Sequence, residues 1–506
     1  MSGSQRPDLT GAACADSDAA ARLDTLFVPG RNCSAVARAD HAAVIVDAAD
    51  YFRHARAGML AAKRQILLIG WDFDARIEVE AESGDTGPER IGDLLSWLVD
   101  RTPGLEIYLL RWDMGALKTL VHGQTLLALL GWIRRERMHA RLDGHHPTGA
   151  SHHQKLIVID DCLAFCGGID MTANRWDTRE HRDDDPKRTQ PDGKPAQPWH
   201  DAAWAVDGDA ARALGELGRA RWKRSGAKAP PPAKVEGPCW PKGLPIDFTA
   251  IDIAIARSVP LMKDEQPVRE IEELYRDQIM AARRHLYIES QYFASRRIAE
   301  WIGVRLEEAD PPEIVIINPV VAEGWLQPLA MDSARARLFR ALKLRDHRDR
   351  LRIYHPFTAG GTPIYVHAKI LIADDRVLRV GSSNVNNRSL RLDTECDLSI
   401  DMRGAGAEAT QVRRIRDGLI AEHLGIGVEQ VSSTIDNSGS LIATIETLRG
   451  KGKTLRPYEV PALTEAEQWL ADNEVLDPEG PEEMFEPLSR RSLFRNLRWP
   501  WRGASG

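Results

Sequence analysis

Long apolar runs are missing from this chain. The stretch MSGSQRPDLTGAACADSDAAARLD at its start carries no apolar core of the signal-peptide kind, and the longest run nearby, Leu126 to Leu130, is far too short to span a bilayer. Cysteine is scarce too. Six in 506 residues do not make a disulfide framework, and none has the CxxC spacing of a zinc site. Cys162 and Cys166, four apart in an expected strand, read as buried thiols facing the same way, which fits a reducing compartment. Nor does either charge sign dominate: 67 basic and 74 acidic side chains, net -7, give no global pull toward nucleic acid or an anionic membrane. These absences lead us to expect a monomer without a transmembrane segment, cytoplasmic or peripheral to a membrane. Export by a leaderless route stays open.

What is present is a repeat. Residues 152–170, HHQKLIVIDDCLAFCGGID, lie over residues 366–384, VHAKILIADDRVLRVGSSN, without a gap. His153, Lys155, Asp160, Asp161 and Gly167 match His367, Lys369, Asp374, Asp375 and Gly381, each pair 214 positions apart. The matched residues are the chemically loaded ones, which suggests one site built from two halves.

The surroundings repeat as well. DAADYFRHARAGMLAAKR reads as a helix, QILLIGWDF as a strand, the region from Ile91 to Val99 as a helix and LEIYLLRW as a strand. After residue 270 the same order returns in EIEELYRDQIMAARR, HLYIESQYF, RRIAEWIGVRLEEA and EIVIINPV. The expected fold is α/β: two similar α/β/α sandwich halves, mixed sheets flanked by helices, related by a pseudo-two-fold with the site at their interface. The boundaries follow from composition. Residues 1–25 read as disordered, 26–228 as the first half, 229–245 as a Pro-rich linker, 246–430 as the second half, 431–488 as an extension and 489–506 as a basic aromatic tail. The repeat does not decide whether the halves are separate domains or one body.

In a strand, residues two apart share a face, so His153 and Lys155 project together, as do His367 and Lys369. The double Asp marks a hairpin turn, and the Gly after it allows close backbone approach. An imidazole beside a fixed ammonium suits phosphate chemistry: the ammonium holds the non-bridging oxygens while the imidazole attacks phosphorus or moves a proton.

His-x-Lys, four residues, Asp, then six residues and Gly-Gly or Gly-Ser resembles the signature of the phospholipase D superfamily, twice over. GWDFD from 70, LLRWD from 109, NRWDTREH from 174, QPWHD from 197, YIESQYF from 287 and NNRSLRLDTECDL from 386 are similar to its phospholipid-cleaving, eukaryotic-like branch, here in an expected bacterial member. The resemblance implies a phosphohistidine route, with His153 as nucleophile and His367 as the acid and base. It implies no metal or cofactor, because Lys155 and Lys369 supply the positive charge. It also implies that Asp201 and Glu395 orient the two imidazoles.

By the same resemblance Asn384, in Gly381-Ser382-Ser383-Asn384, donates to the phosphate. The first half departs, with Gly168 where Ser is common and Asp170 where Asn is common; an ionised Asp there is unfavourable beside a phosphate unless turned away. Asp160 and Asp374 are read as holding turns, and His152 as structural, facing away from His153. Trp71 and Tyr292, at matching places in the two halves after apolar strands, are either core or walls of the site. Residues 179–200 are either a solvated loop or a rim over it.

The expected substrate is a glycerophospholipid at a membrane surface, phosphatidylcholine or phosphatidylethanolamine, cleaved to phosphatidic acid and free alcohol or transferred to another alcohol. The alternatives are a cardiolipin synthase-like phosphatidyltransferase and a catalytically silent membrane-binding scaffold. A nuclease is disfavoured by the acidic balance. In the tail, Arg490, Arg491, Arg495, Arg498 and Arg502 interleave with Leu493, Phe494, Leu497, Trp499 and Trp501, a pattern suited to an anionic bilayer surface.

Overall fold

A computed structural model of the chain describes residues 25–80, 86–113, 131–132, 135–235, 237–263, 265–322, 328–403, 406–461 and 477. The stretch expected to be disordered, up to residue 24, and the basic aromatic tail lie outside the described residues.

The first half contributes β1 (Ala35–Val46), β2 (Gln65–Gly70), β3 (Glu106–Trp112), β4 (Met138–Asp143), β5 (Leu156–Ile159), β6 (Leu163–Gly167), β7 (Trp199–His200) and β8 (Ala202–Asp207). The second contributes β9 (Phe248–Val259), β10 (Val268–Arg269), β11 (His285–Glu289), β12 (Glu313–Ile317), β13 (Leu351–Phe357), β14 (Tyr365–Val366), β15 (Ile370–Ala373), β16 (Val377–Gly381), β17 (Glu395–Asp401) and β18 (Thr454–Pro457). All but β7 and β14 join one sheet, in the order β18-β13-β12-β11-β15-β16-β17-β9-β1-β8-β6-β5-β2-β3-β4, with β10 on β9. Read outward from the antiparallel β1·β9 seam, β17, β16, β15, β11, β12 and β13 mirror β8, β6, β5, β2, β3 and β4. The pseudo-two-fold therefore runs through that seam, and the halves form one body sharing a continuous sheet.

The outer trios β2·β3·β4 and β11·β12·β13 are parallel, so they need crossovers, and among the described residues helices supply them. In the first half α1 (Ala48–Ala61) leads from β1 into β2, and α2 (Ile91–Arg101) crosses from β2 to β3. After α3 (Gly208–Arg224), α4 (Glu270–Ala281) leads into β11, and α5 (Arg296–Leu306) and α6 (Ser333–Arg345) cross from β11 to β12 and from β12 to β13. In α1 the buried Tyr51, Phe52, Ala55 and Met59 recur at helical spacing and make one face against the sheet. Truncating Phe52 to Ala would cost about 3–5 kcal/mol by cavity formation. Strands such as β12, EIVII, are buried throughout, as strands covered on both faces must be.

Each double Asp closes a hairpin. Asp160, Asp161 and Asp374 have φ of 54°, 53° and 55°, which Asp tolerates better than most residues. Asp160 accepts hydrogen bonds from the N–H groups of Lys63, Arg64 and Gln65, and Asp374 from those of Arg283, Arg284 and His285. Each carboxylate thus satisfies the loop between a helix end and the next strand.

The cysteine reading needs correction. Cys162 lies in the turn before β6, not in the strand, and forms a disulfide with Cys239 of the linker, Cα to Cα 5.9 Å. Cys166 lies inside β6 as a buried free thiol with its sulfur toward the Cys396 carbonyl. A spacing of four puts two residues on one face only within one strand, and the strand starts at Leu163. The disulfide also removes the ground for inferring a reducing compartment from cysteine usage. With Gln65 donating to the Pro231 carbonyl and Ala233 N–H to Asp161, it fastens the linker to the first half. Among the described residues, no helix is long and apolar enough to cross a membrane.

Candidate active site

The two His-x-Lys segments meet at the interface of the halves, with the imidazole centroids of His153 and His367 6.5 Å apart. Neither segment is itself a strand. Sheet pairing begins at Leu156, opposite Ile69, and at Ile370, opposite Glu289, so each motif runs on as extended chain beyond the sheet's end. Its side chains stand in the cleft between the halves rather than on a sheet face.

Each histidine is held from the other half. His153 Nδ1 lies 3.1 and 3.0 Å from the two Glu395 oxygens, and His367 Nδ1 lies 2.7 Å from Asp201 Oδ2. Backbone bonds lock both crossings. His153 N–H donates to the Thr394 carbonyl and Thr394 N–H to that of Ser151; His367 N–H donates to the His200 carbonyl beside the short β7·β14 ladder. These bonds carry each carboxylate directly behind the imidazole it orients.

The carboxylates are unequally supported. Glu395 accepts from the hydroxyls of Ser382 (2.5 Å) and Ser389 (2.7 Å), one on each oxygen. Asp201 accepts from the Ala202 N–H at 2.8 Å, and a Cβ on Gly168, the counterpart of Ser382, would sit 2.0 Å from Asp201 Oδ1. Burial raises the Glu395 carboxyl well above its ordinary range while the Ser382 hydroxyl works against that, and burial likewise raises Asp201. Burial, then the charges of Lys155 and Lys369, hold the His153 imidazole well below its ordinary range. For His367 the causes are burial, Lys369, Arg175 and Lys155. With Nδ1 committed to a carboxylate, a neutral imidazole keeps Nε2 for the cleft.

The lysines differ as well. Lys155 Nζ donates to the His153 carbonyl at 2.9 Å and stands 3.2 Å from Asp170 Oδ2. Asp170, the departure from the signature, therefore lies inside the site as the partner of a lysine, and also accepts from Trp71 N–H. Lys369 Nζ donates to the His367 carbonyl, and burial pushes it down to about 7. Asn384, the counterpart of Asp170, points its amide toward Gln291 Oε1 at 3.4 Å, while its Oδ1 is buried without a hydrogen bond.

The pairing of Trp71 with Tyr292 is corrected by the strand register. Since Ile69 and Glu289 are equivalent, Trp71 corresponds to Gln291, and Tyr292 falls one residue later. Tyr292 packs with Ala294, Ala322 and Met331 in a small apolar cluster. Trp71 stacks on Trp112 at 5.7 Å, beside Asp170. His152 faces away, with Nδ1 2.9 Å from Thr394 Oγ1 and Nε2 3.3 Å from Asp143. The 179–200 segment is more than a solvated loop: His181 and Arg188 are buried, and Asp183 accepts from Thr358 and Gly360 of the second half.

Three residues went unnoticed in the sequence. Trp199 lies 5.1 Å from the His367 ring and stacks on Tyr365 at 4.7 Å, and the buried Arg175 guanidinium covers the other part of Trp199 at 4.1 Å. Ser389 braces Glu395. Trp199 immediately precedes His200-Asp201, and that adjacency was the available signal. Together, two neutral imidazoles facing one gap and two ammonium groups form a site that can hold a phosphate anion and exchange its substituents.

Comparison with known proteins agrees with this geometry. A family model described as phospholipase D matches residues 58–236, and one described as cardiolipin synthase, PLD-like domain, matches residues 275–415. The chain is 25% identical over 433 residues to phospholipase D A of Dictyostelium discoideum, covering 72% of this chain and 33% of that protein. It is 24% identical over 513 residues to phospholipase D alpha 1 of Vigna unguiculata, covering 72% and 62%. It thus spans between a third and just over three-fifths of the length of these relatives. In fold it is similar to phosphatidylserine synthase of Haemophilus influenzae Rd KW20, with a TM-score of 0.54 at 13% identity, covering 82% of this chain and 98% of that one.

Proposed function

This chain belongs to the phospholipase D superfamily, and from that premise we propose that it cleaves glycerophospholipids to phosphatidic acid and a free alcohol. The observation that carries the reading is the opposed pair His153 and His367, each backed by a buried carboxylate from the other half.

In the proposed reaction His153 Nε2 attacks phosphorus, forming an N–P bond as the P–O bond to the head-group alcohol breaks, and His367 protonates the departing oxygen. Lys155, Lys369 and the Asn384 amide hold the non-bridging oxygens. His367 then takes a proton from water, whose oxygen displaces His153 and leaves phosphatidic acid. An acceptor alcohol in place of water gives transphosphatidylation. Burial and then the neighbouring positive charges depress both imidazoles; the phosphodiester anion offsets the second cause, so substrate binding favours the His367 imidazolium.

The second reading is phosphatidyl transfer between lipids, favoured by the cardiolipin synthase description of the model that matches residues 275–415. One assay separates them: labelled phosphatidylcholine or phosphatidylglycerol in vesicles, with and without ethanol. Phosphatidic acid and phosphatidylethanol support the first reading, and cardiolipin from phosphatidylglycerol the second. No phosphatidyl product from either lipid overturns both.

A further inference from the structure

Behind the Asp201–His367 pair, on the side away from the cleft, four buried side chains converge: Asp47 just before α1, His181, His200 in β7 and Glu422 in the helix Ala407–Leu424. His181 Nε2 lies 3.1 Å from Glu422 Oε1 and 3.5 Å from Asp47 Oδ2; His200 Nδ1 lies 2.8 Å from Glu422 Oε1 and 3.3 Å from Asp47 Oδ1. These four nitrogen-to-oxygen separations lie near the edge of a tetrahedron, about 3.3 Å for ligands 2.0–2.1 Å from a central ion, and one ligand atom from each of the four residues lies within 4.8 Å of the others.

The outer faces of both imidazoles are already committed. His181 Nδ1 lies 2.9 Å from Asp177 Oδ2, and His200 Nε2 lies 2.7 Å from Glu289 Oε2. An ionised carboxylate only accepts, so each outer nitrogen carries a proton. The inner nitrogens face two carboxylates across 2.8–3.5 Å, so either a second ring proton or a cation must lie between them. Asp47 Oδ2 and His200 Nδ1 are buried there and make no hydrogen bond. Arg179 pairs with Glu422, Arg188 with Asp177, and the Lys453 ammonium acts on Glu422, Asp47 and Asp177, so the four carboxylates of the cluster still outnumber the three cations beside them. Protons or a divalent cation would offset the difference.

We propose that Asp47, His181, His200 and Glu422 bind one divalent transition-metal ion, Zn2+ by ligand type, in a closed four-coordinate site that braces the active site without touching the reacting phosphate. A carboxylate behind each imidazole is the usual support for a metal-bound histidine, fixing its tautomer and raising its basicity. Two imidazoles and two carboxylates suit zinc, and four protein ligands leave no open position, the hallmark of a structural site. Asp47 holds φ at 68° and makes no capping bond to α1, a backbone strain that an ion would help offset. The link to the active site is direct. Asp47 Oδ1 accepts from Asp201 N–H at 3.1 Å, Asp47 N–H donates to the Asp201 carbonyl, and the His200 carbonyl accepts from His367 N–H. Glu422 and Arg179 line a surface groove of about 870 Å³, which gives an ion a way in.

The test needs no lipid. The full chain, purified without chelator and desalted, is analysed for metals by mass spectrometry and X-ray absorption, then compared with His181→Gln and Glu422→Gln. The expected result is about one zinc per chain with a first shell of nitrogen and oxygen only, falling to traces in both variants. If the variants fail to fold, the wild-type chain still decides. Its thermal midpoint should fall with dipicolinate and recover with added Zn2+, and its Co2+-loaded form should give the strong visible bands of four-coordination. A wild-type chain that holds only traces of metal after incubation with Zn2+, and whose midpoint ignores both additions, overturns the proposal in favour of protons. Zinc retained in folded variants overturns it too.

Discussion

Both oxygens of Glu395 face the Nδ1 atom of His153, at 3.1 and 3.0 Å, from 242 positions further along the chain. An acceptor at Nδ1 fixes the tautomer that leaves Nε2 unprotonated, and stabilises the positive ring once a phosphoryl group is attached. Glu395→Gln keeps the shape but can turn an amide N–H toward Nδ1, favouring the wrong tautomer. We expect kcat to fall about 10²–10⁴-fold with KM little changed. Steady-state kinetics on a soluble phosphodiester check this; an unchanged kcat would mean that Glu395 only packs.

The roles of the two imidazoles separate under a trapping experiment. With a p-nitrophenyl phosphodiester, whose leaving group needs no proton, His367→Ala should still accumulate a phosphoenzyme visible by intact mass. His153→Ala should give none. The reverse pattern would exchange nucleophile and acid between the halves.

Lys369 gives a pH signature. Its ammonium, pushed down to about 7 chiefly by burial, is partly lost in the free protein above that pH. We expect kcat/KM for an anionic phosphodiester to fall on the alkaline side with a midpoint near 7, and kcat to fall only at higher pH, because the bound anion restores the charge. For folding, the sign is opposite to that of a salt-bridged lysine. Between about 7 and the ordinary lysine value the unfolded chain binds more protons, so this group's contribution to stability grows with rising pH. Denaturant midpoints for wild type and Lys369→Met across that window measure it; parallel curves would contradict the assignment.

The disulfide Cys162–Cys239 closes a loop of 77 positions and ties the linker to the turn behind the first motif. Cys162→Ser with Cys239→Ser should lower stability by about 2–4 kcal/mol. Alkylation of the denatured, unreduced chain should leave these two cysteines unlabelled. Labelling of both, with a thermal midpoint indifferent to reductant, would rule the bond out.

The paired halves were legible in the sequence because His, Lys and Asp recur at one spacing, and such residues are not interchangeable as apolar ones are. Helix and strand order was legible from periodicity. Partners across the interface came only through the family resemblance, which named Asp201 and Glu395 but not which histidine each serves: Glu395 finds His153, and Asp201 finds His367, because the sheet folds about the β1·β9 seam, and no local pattern encodes that crossing. The equivalence of Trp71 with Gln291 depends on strand register, which spacing along the chain misjudged by one residue. The Cys162–Cys239 bond joins a turn to a linker, so periodicity within a strand could not reveal it.

Gly168 stands where the signature usually has Ser, and its counterpart Ser382 donates to Glu395 at 2.5 Å. Restoring the signature with Gly168→Ser is not harmless, because an added Cβ would lie 2.0 Å from Asp201 Oδ1, far inside contact distance. The carboxylate cannot retreat freely, since Ala202 N–H holds that oxygen and the residue's own backbone is bonded to Asp47. The strain must move Asp201 relative to His367, and a displacement of about 1 Å at a proton-transfer group can cost about 10²-fold in rate. We expect Gly168→Ser to lose that much kcat while the phosphoenzyme still forms from a p-nitrophenyl diester, because His153 and Glu395 are untouched. Equal loss in both reactions would locate the damage in the first half as a whole rather than in the Asp201–His367 pair.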